Sequence, residues 1–385
     1  MLVVQGEITM PPTSVFTSVE LEQYSRHFKL QGFGPEKQAQ LKRAKVLLVG
    51  AGGLGCPVGL YLAAAGVGTI GVVDFDCVDR SNLQRQIAHS VDTIGQLKVD
   101  SLVQRMQAIN PLLRYQKHSV RLGAENVSDL IRHYDLVLDG SDNFATRFLV
   151  ADACFLSKIP LLQGSVYEYE AQLALFLPDE GPCYRCVFPE PPGAEALSPC
   201  AEVGVLGVVP GTVGLMMATE TIKHLTGLGT SIHGKLLIYN ALEQTLKKLN
   251  LSRNQQCALC GENPSILSPV ESLTLCEFPA DNPALSIEAE AAKVLISQGV
   301  QLLDVREAFE FQSGHIPQAI HLPLGQLRIE IPTGVLNPDQ PILAYCQKGQ
   351  RSLEAARLLR TLGYNPVYSL TDGMASWAGP VSLPV

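Results

Sequence analysis

Lys45-Val46-Leu47-Leu48-Val49-Gly50-Ala51-Gly52-Gly53-Leu54-Gly55 decides the fold. Its first five residues, apolar after the lysine, read as a strand buried on both faces, as in parallel sheets covered by helices. Glycines follow at once, and residues 56–65 then read as a helix ending at Gly66. Strand, glycine-rich turn and helix in that order form the setting in which such a loop holds phosphates. Gly50, Gly52, Gly53 and Gly55 let the backbone come close to a ligand, and the helix N-terminus offers N–H groups and partial positive charge. Asp74 ends the next expected strand, 69–74, and lies 21 residues after Gly53, where an acidic side chain holds a ribose hydroxyl. NAD, FAD and ATP sites all fit this much.

Outward from this unit, strands are expected at 135–139, 172–177 and 235–239. Helices are expected at 20–30, 97–109, 145–156 and 210–225, the last opened by Pro210 and closed by Gly227. Strands alternating with helices predict a doubly wound α/β sheet, a Rossmann-like domain. Beyond Cys260 the texture changes. Residues 261–286 carry Pro264, Pro269, Pro279 and Pro283 with little periodicity, and read as a linker. A second, smaller α/β unit follows, with helices at 287–298 and 352–362 and strands at 300–305, 341–345 and 366–368. The expected division is a first domain at 1–262, a linker at 263–285 and a second domain at 286–385.

The chain has 385 residues, a length natural for two domains, and its 46% hydrophobic content is ample for two cores. The net charge of −8, without a long basic run, argues against a nucleic-acid partner. No secretory leader is expected, because the start lacks a basic stretch followed by an apolar one. The most apolar stretch, 203–218, is too short to span a bilayer and is broken by Gly204, Gly207, Pro210, Gly211 and Gly214, so no membrane span is expected. A cytoplasmic setting follows, and there the ten cysteines are expected in metal or redox work rather than in disulfides.

The stretch after Asp74 separates ATP from NAD. Arg80-Ser81-Asn82-Leu83-Gln84-Arg85-Gln86 comes next, and Lys98 a little later. Hydride transfer does not need two arginines and a lysine near the phosphates. Attack on the α-phosphate of ATP does, because charge on the phosphoryl oxygens must be neutralised. Asp142-Asn143, just past the strand ending at Asp139, could hold Mg²⁺ through a carboxylate.

Cys183-Tyr184-Arg185-Cys186 and Cys257-Ala258-Leu259-Cys260 are two C-x-x-C loops. Four thiolates suit tetrahedral Zn²⁺ with no open position, hence a structural rather than a catalytic metal. Two redox pairs or plain structural thiols are the competing readings. Cys200 lies apart, in a proline-bounded loop, and reads either as a small buried hydrophobe or as a nucleophile.

Cys346-Gln347-Lys348-Gly349-Gln350-Arg351 lies between a strand and a helix. Such a loop turns successive N–H groups inward and forms an anion-binding nest that stabilises a thiolate or a persulfide. The four residues between Cys346 and Arg351 favour a sulfur atom as the cargo, since a wider loop suits a phosphate. Cys346 and Arg351 are the candidate catalytic residues here.

Residues from about 20 to 262 resemble the MoeB/ThiF family, bacterial relatives of ubiquitin-activating enzymes. The motifs, in order, are the glycine loop, Asp74-Phe75-Asp76, the run 80–86, Gly95-Gln96-Leu97-Lys98 and Asp139-Gly140-Ser141-Asp142-Asn143. The resemblance implies adenylation of the C-terminal glycine of a ubiquitin-like sulfur carrier of the MoaD/ThiS kind with ATP and Mg²⁺. It implies that Gly53, Asp74, Ser81, Asn82, Arg85, Lys98, Asp142 and Asn143 contact ATP or its metal, with Leu83 and Gln84 in the same run. It also implies a homodimer in which Arg26 reaches the partner's phosphates, a structural zinc site, and Cys200 as a crossover-loop cysteine that attacks the adenylate or links to the carrier. Gln23 departs from the family pattern, which often has an arginine there.

Residues from about 286 to 385 resemble a rhodanese domain, through Asp304-Val305-Arg306-Glu307, Gly314-His315-Ile316-Pro317 and Asp372-Gly373-Met374-Ala375-Ser376-Trp377. This implies that Cys346 takes sulfane sulfur from a donor such as a cysteine desulfurase or thiosulfate. Asp304 and Arg306 then support the loop. The whole chain thus resembles the two-domain MoeZ-like proteins, with carriers in molybdenum cofactor, thiamin, cysteine or tRNA-thiolation pathways. Two other readings are weighed against this one. An NAD-dependent oxidoreductase with a regulatory rhodanese module conflicts with the run 80–86. A non-catalytic scaffold that docks the carrier conflicts with the presence of Asp142, Arg85 and Cys346.

Overall fold

The computed structural model describes residues 15–191, 204–271 and 285–383. The chain forms two compact units, Met1–Cys276 and Glu277–Val385.

In the first unit β1 (Lys45–Val49) is the third strand of an eight-stranded sheet and the middle one of its five parallel strands. Its neighbours are β2 (Thr69–Val73), β3 (Arg114–His118), β4 (Leu136–Asp139), β5 (Leu161–Tyr167), β6 (Glu170–Phe176), β7 (Lys235–Asn240) and β8 (Thr245–Asn250). The order is β3-β2-β1-β4-β5-β6-β7-β8. The first five strands run parallel, and β5 to β8 pair antiparallel. The doubly wound expectation therefore holds for the half that carries the glycine turn, and an antiparallel half extends it. Successive side chains of a strand point to opposite faces. Val46 and Leu48 accordingly enter one core with the helices Gly34–Arg43, Gly55–Ala65, Lys98–Ile109 and Val208–Thr226. Leu47 and Val49 enter another with Val127–Ile131 and Phe144–Leu156.

Small residues set how closely the first group of helices packs. A Cβ on Gly214 would lie 2.5 Å from the Pro57 ring, and one on Gly59 would lie 3.0 Å from the Met106 sulfur. Gly55–Ala65 stops at Gly66, whose φ of +85° is the left-handed cap that glycine adopts freely. The helix expected at 20–30 is broken in two, Ser18–Gln23 and Ser25–Phe28. The cause is Tyr24 at the junction. Its ring is buried, and its hydroxyl accepts a hydrogen bond from Asn110 Nδ2 at 2.8 Å.

The second unit is a five-stranded parallel sheet in the order β11-β10-β12-β13-β9. Its strands are β9 (Ser286–Ile287), β10 (Gln301–Asp304), β11 (Ile320–His321), β12 (Ile342–Tyr345) and β13 (Val367–Leu370). Ile342 and Ala344 face a core shared with Leu324–Ile329 and Gln350–Thr361, while Leu343 and Tyr345 face Ala289–Ser297. The helix expected from 287 starts at Ala289, because Ser286 and Ile287 pair with β13.

Gly55 is held against backbone at the glycine turn. A Cβ there would sit 1.9 Å from the Gly50 carbonyl oxygen, backbone against backbone. Gly55→Ala should cost about 1–3 kcal/mol or more through overpacking. The check is the urea midpoint of the variant against that of the parent chain.

Candidate functional site

The carboxyl ends of β1, β2 and β4 open into a cleft of about 340 Å³, the usual place for ligands in open α/β sheets. Of the residues expected at the nucleotide, Gly52, Gly53, Asp74, Gln84, Arg85, Lys98 and Asp142 line it. Gly50 and Gly55 shape its floor. Gly50 has a φ of +91°, and a Cβ there would press on the Gly140 carbonyl at 3.3 Å.

Asp74 accepts the N–H groups of Ala51 at 2.8 Å and Asp76 at 2.9 Å, which fixes its carboxylate against the glycine turn. Burial raises its pKa, and Lys98 together with the two N–H groups only partly offsets that. Lys98 is nearly covered and donates to Asp76 Oδ2 at 2.8 Å. Arg85 donates to the Ser81 carbonyl at 3.0 Å. Asp142 is exposed at the rim.

Ser81, Asn82, Leu83 and Asn143 are not among the lining residues. Ser81 and Asn82 form a capping box with Asp79, and Asn143 caps Phe144–Leu156 by accepting from Thr146 N–H at 2.9 Å. Arg26 lies exposed on Ser25–Phe28, outside its own chain's cleft. Cys200 lies outside the described residues.

The sequence reading assigned no role to several lining residues, among them Asp76, Gln86, Ser141, Arg147, Tyr167 and Glu168. Arg147 is buried one turn into its helix, donates twice to the Ser141 carbonyl at 3.2 and 3.1 Å, and lies 5.0 Å over the Phe144 ring. Its spacing from Asn143 on a helix that follows an acidic loop was the available signal. Asp139 is fully buried, and its Oδ1 accepts the Ser141 N–H at 2.9 Å. Its Oδ2 has no hydrogen-bond partner among the described residues, and burial raises its pKa.

Cys183, Cys186, Cys257 and Cys260 converge, with their sulfurs all within 4.8 Å of one another. Cys183 Sγ lies 3.5 Å from Cys257 Sγ, and Cys186 Sγ lies 3.3 Å from Cys260 Sγ. Four sulfurs so placed fit one tetrahedral Zn²⁺. The long sequence gap between the pairs closes because Cys183–Cys186 follows β6 and Cys257–Cys260 follows β8. Arg185, between the first pair, makes a bidentate buried pair with Asp152 at 2.6 and 2.8 Å and covers the Phe148 ring at 4.9 Å. The cluster is thereby tied to Phe144–Leu156.

In the second unit Cys346 follows β12 and is almost wholly buried. Gly349, at φ +84°, turns the loop into Gln350–Thr361. The loop is clamped from below, since the Cys346 carbonyl accepts Met374 N–H at 2.8 Å and the Gln347 carbonyl accepts Ala375 N–H at 3.0 Å. A Cβ on Gly373 would lie 2.0 Å from the Cys346 carbonyl oxygen, so only glycine fits there. Arg351 makes a bidentate pair with Glu310, both contacts 2.7 Å. Asp304 and Arg306 form a buried bidentate pair. Arg306 also donates to the Gly314 carbonyl at 2.7 Å, which locks the segments before and after Ala308–Gln312.

The comparisons agree with this division. The profile of the ThiF family matches residues 24–259, and that of the rhodanese-like domain matches residues 288–380. The chain belongs to the ThiF family, and it joins a ThiF-type adenylyltransferase to a rhodanese-type sulfurtransferase. It is 39% identical to the probable adenylyltransferase/sulfurtransferase MoeZ of Mycobacterium tuberculosis, over 95% of each chain. It is 36% identical to the adenylyltransferase and sulfurtransferase MOCS3 of Caenorhabditis briggsae, over 92% of this chain and 93% of that one. The sulfur carrier protein adenylyltransferase of Thermus thermophilus is 47% identical, over 68% of this chain and 98% of its own. Among solved structures, E. coli MccB with ATP superposes with a TM-score of 0.55 at 22% identity, over 62% of this chain and 74% of that one, a likeness of fold. ATP use is implied by the adenylyltransferase family. No helix among the described residues is long and apolar enough to cross a membrane.

Asp152→Ala leaves the Arg185 charge buried and unpaired beside the four thiols. It should destabilise the first unit by about 3–5 kcal/mol and speed metal loss. The checks are urea unfolding and the rate of zinc capture by a chromogenic chelator.

Proposed function

We propose that the enzyme activates the C-terminal carboxylate of a ubiquitin-like sulfur carrier ending in Gly-Gly and converts it to a thiocarboxylate. The reading rests on one observation above the others. A single chain gathers Gly53, Asp74, Arg85, Lys98 and Asp142 around a cleft, and presents Cys346 on a strand–loop–helix of its own.

In the first step a carboxylate oxygen attacks the α-phosphorus of ATP, pyrophosphate leaves, and an acyl-adenylate forms. Asp74 holds the ribose. Arg85 and Lys98 neutralise charge on the phosphoryl oxygens, joined by Arg26 from the second subunit of a homodimer. Ser81, Asn82, Leu83, Gln84 and Asn143 complete the surround. Asp142 would hold Mg²⁺, which when bound would screen the phosphate charge. Adenylation is needed because a free carboxylate is a poor electrophile.

In the second step Cys346, already a persulfide, attacks the acyl carbon through its outer sulfur and displaces AMP. A thiol then attacks the inner sulfur of the acyl disulfide and releases the thiocarboxylate. The donor that loads Cys346 is a cysteine desulfurase or thiosulfate. Arg351 shapes the loop, and Cys200 takes part as an intermediate acceptor. The zinc is structural. The domains divide at 1–262 and 286–385 across a linker at 263–285, and the setting is cytoplasmic. The carrier serves molybdenum cofactor, thiamin, cysteine or tRNA-thiolation synthesis.

Two variants separate the halves. Cys346→Ser should abolish thiocarboxylate, read as the intact mass of the carrier, and leave pyrophosphate release unchanged. Asp142→Asn should lower pyrophosphate release by about 10²–10³-fold. Normal release in Asp142→Asn refutes its placement, and thiocarboxylate formed by Cys346→Ser refutes the sulfur assignment.

A further inference from the structure

Behind Cys346 lies a chain of two hydroxyls that the loop motif does not include. Ser352 is fully buried in the first turn of Gln350–Thr361, and its Oγ lies 3.6 Å from Cys346 Sγ as a donor. The same Oγ lies 3.0 Å from the Gly349 carbonyl. Ser369, almost wholly buried on β13 next to β12, donates its own hydroxyl to Ser352 Oγ at 2.9 Å. Ser352 has one proton and two acceptors within reach. With Ser369 donating to it, that proton goes either to the Gly349 carbonyl or to the sulfur. A neutral thiol is a weak acceptor, whereas an anionic sulfur makes the stronger, charge-assisted bond.

We propose that Ser352 is a catalytic residue of the sulfurtransferase, its hydroxyl swinging from the Gly349 carbonyl to the Cys346 sulfur when that sulfur is anionic, with Ser369 as the positioning residue that holds it there. This deepens the sulfur-transfer reading and rests on it. With thiosulfate, the Cys346 thiolate attacks the sulfane sulfur and the S–S bond breaks. Its electron pair leaves with sulfite, and Cys346 becomes a persulfide anion. Charge is conserved: it sits on Cys346 Sγ before the step and on the outer sulfur of the persulfide after it, so the Ser352 hydroxyl serves the attacking thiolate. A donor at the root of the loop stabilises the attacking thiolate without standing in the path of the incoming donor.

The test uses the full chain, thiosulfate as donor and cyanide as acceptor. It reads kcat and KM for thiosulfate, and the rate of iodoacetamide alkylation at Cys346 by peptide mass spectrometry. Ser352→Ala should lower kcat and the alkylation rate about tenfold with KM for thiosulfate held within about twofold, since a hydrogen bond to a charged group is lost. Ser369→Ala should move both in the same direction by less. Ser352→Thr, which keeps the hydroxyl, should restore most of the loss. Parental kcat and alkylation rate in Ser352→Ala overturn the proposal, as does equal loss in Ser352→Thr and Ser352→Ala, which marks packing alone. Absence of a Cys346 persulfide in the parent chain overturns the underlying reading instead.

Discussion

The contact of Gly55 with the Gly50 carbonyl, closer than any side chain permits, sets the position of the nucleotide cleft. Because the turn closes on itself, the helix that follows begins directly over the end of β1. Its N-terminus therefore faces the space between β1, β2 and β4. Asp74 reaches back from β2 to the Ala51 N–H, so the second strand is registered to the turn by a hydrogen bond as well as by the sheet. From β4, the Gly140 carbonyl fills the place where a side chain on Gly50 would stand. Three parallel strands thus end at one point, and the charged groups on their loops converge there.

The four-thiol cluster answers a different need. The antiparallel half of the sheet ends in β8, whose residues are mostly exposed and contribute little to either core. The four thiols at 183–186 and 257–260 gather the chain before β7 and after β8, and the Arg185–Asp152 pair ties that cluster to a helix of the parallel half. Burying an ion pair costs desolvation that excellent geometry must offset. Here the bidentate contacts and the Phe148 ring supply it.

What could be read in the sequence was local and periodic. The β1–turn–helix unit, the two C-x-x-C pairs and the Cys346 loop each lie within a few residues, and all occur as elements or clusters where the sequence placed them. Strands β3 and β8, Arg114–His118 and Thr245–Asn250, escaped notice because edge strands without a fully buried residue have no apolar run to mark them. The helix Gly34–Arg43 was missed for a similar reason, since only Gln38 and Leu41 are buried. The break at Tyr24 depends on Asn110, far along the chain, and no local pattern encodes it. Arg147 is a charged residue on a helix and would ordinarily pass for surface. Tyr167 and Glu168 reach the cleft only because β5 and β6 form a hairpin beside it.

The burial of Cys346 carries a consequence for what can exchange atoms with it. Its sulfur lies at the bottom of a loop whose walls are backbone, with 1% of the residue exposed. On the proposed chemistry, anything that takes sulfur from this position must be slender near its reactive end. A terminus without side chains meets that requirement, and one bulky residue beside the reacting carbon would hold it away from the loop. Selection among acceptors would then begin as a matter of girth, before charge or sequence is consulted.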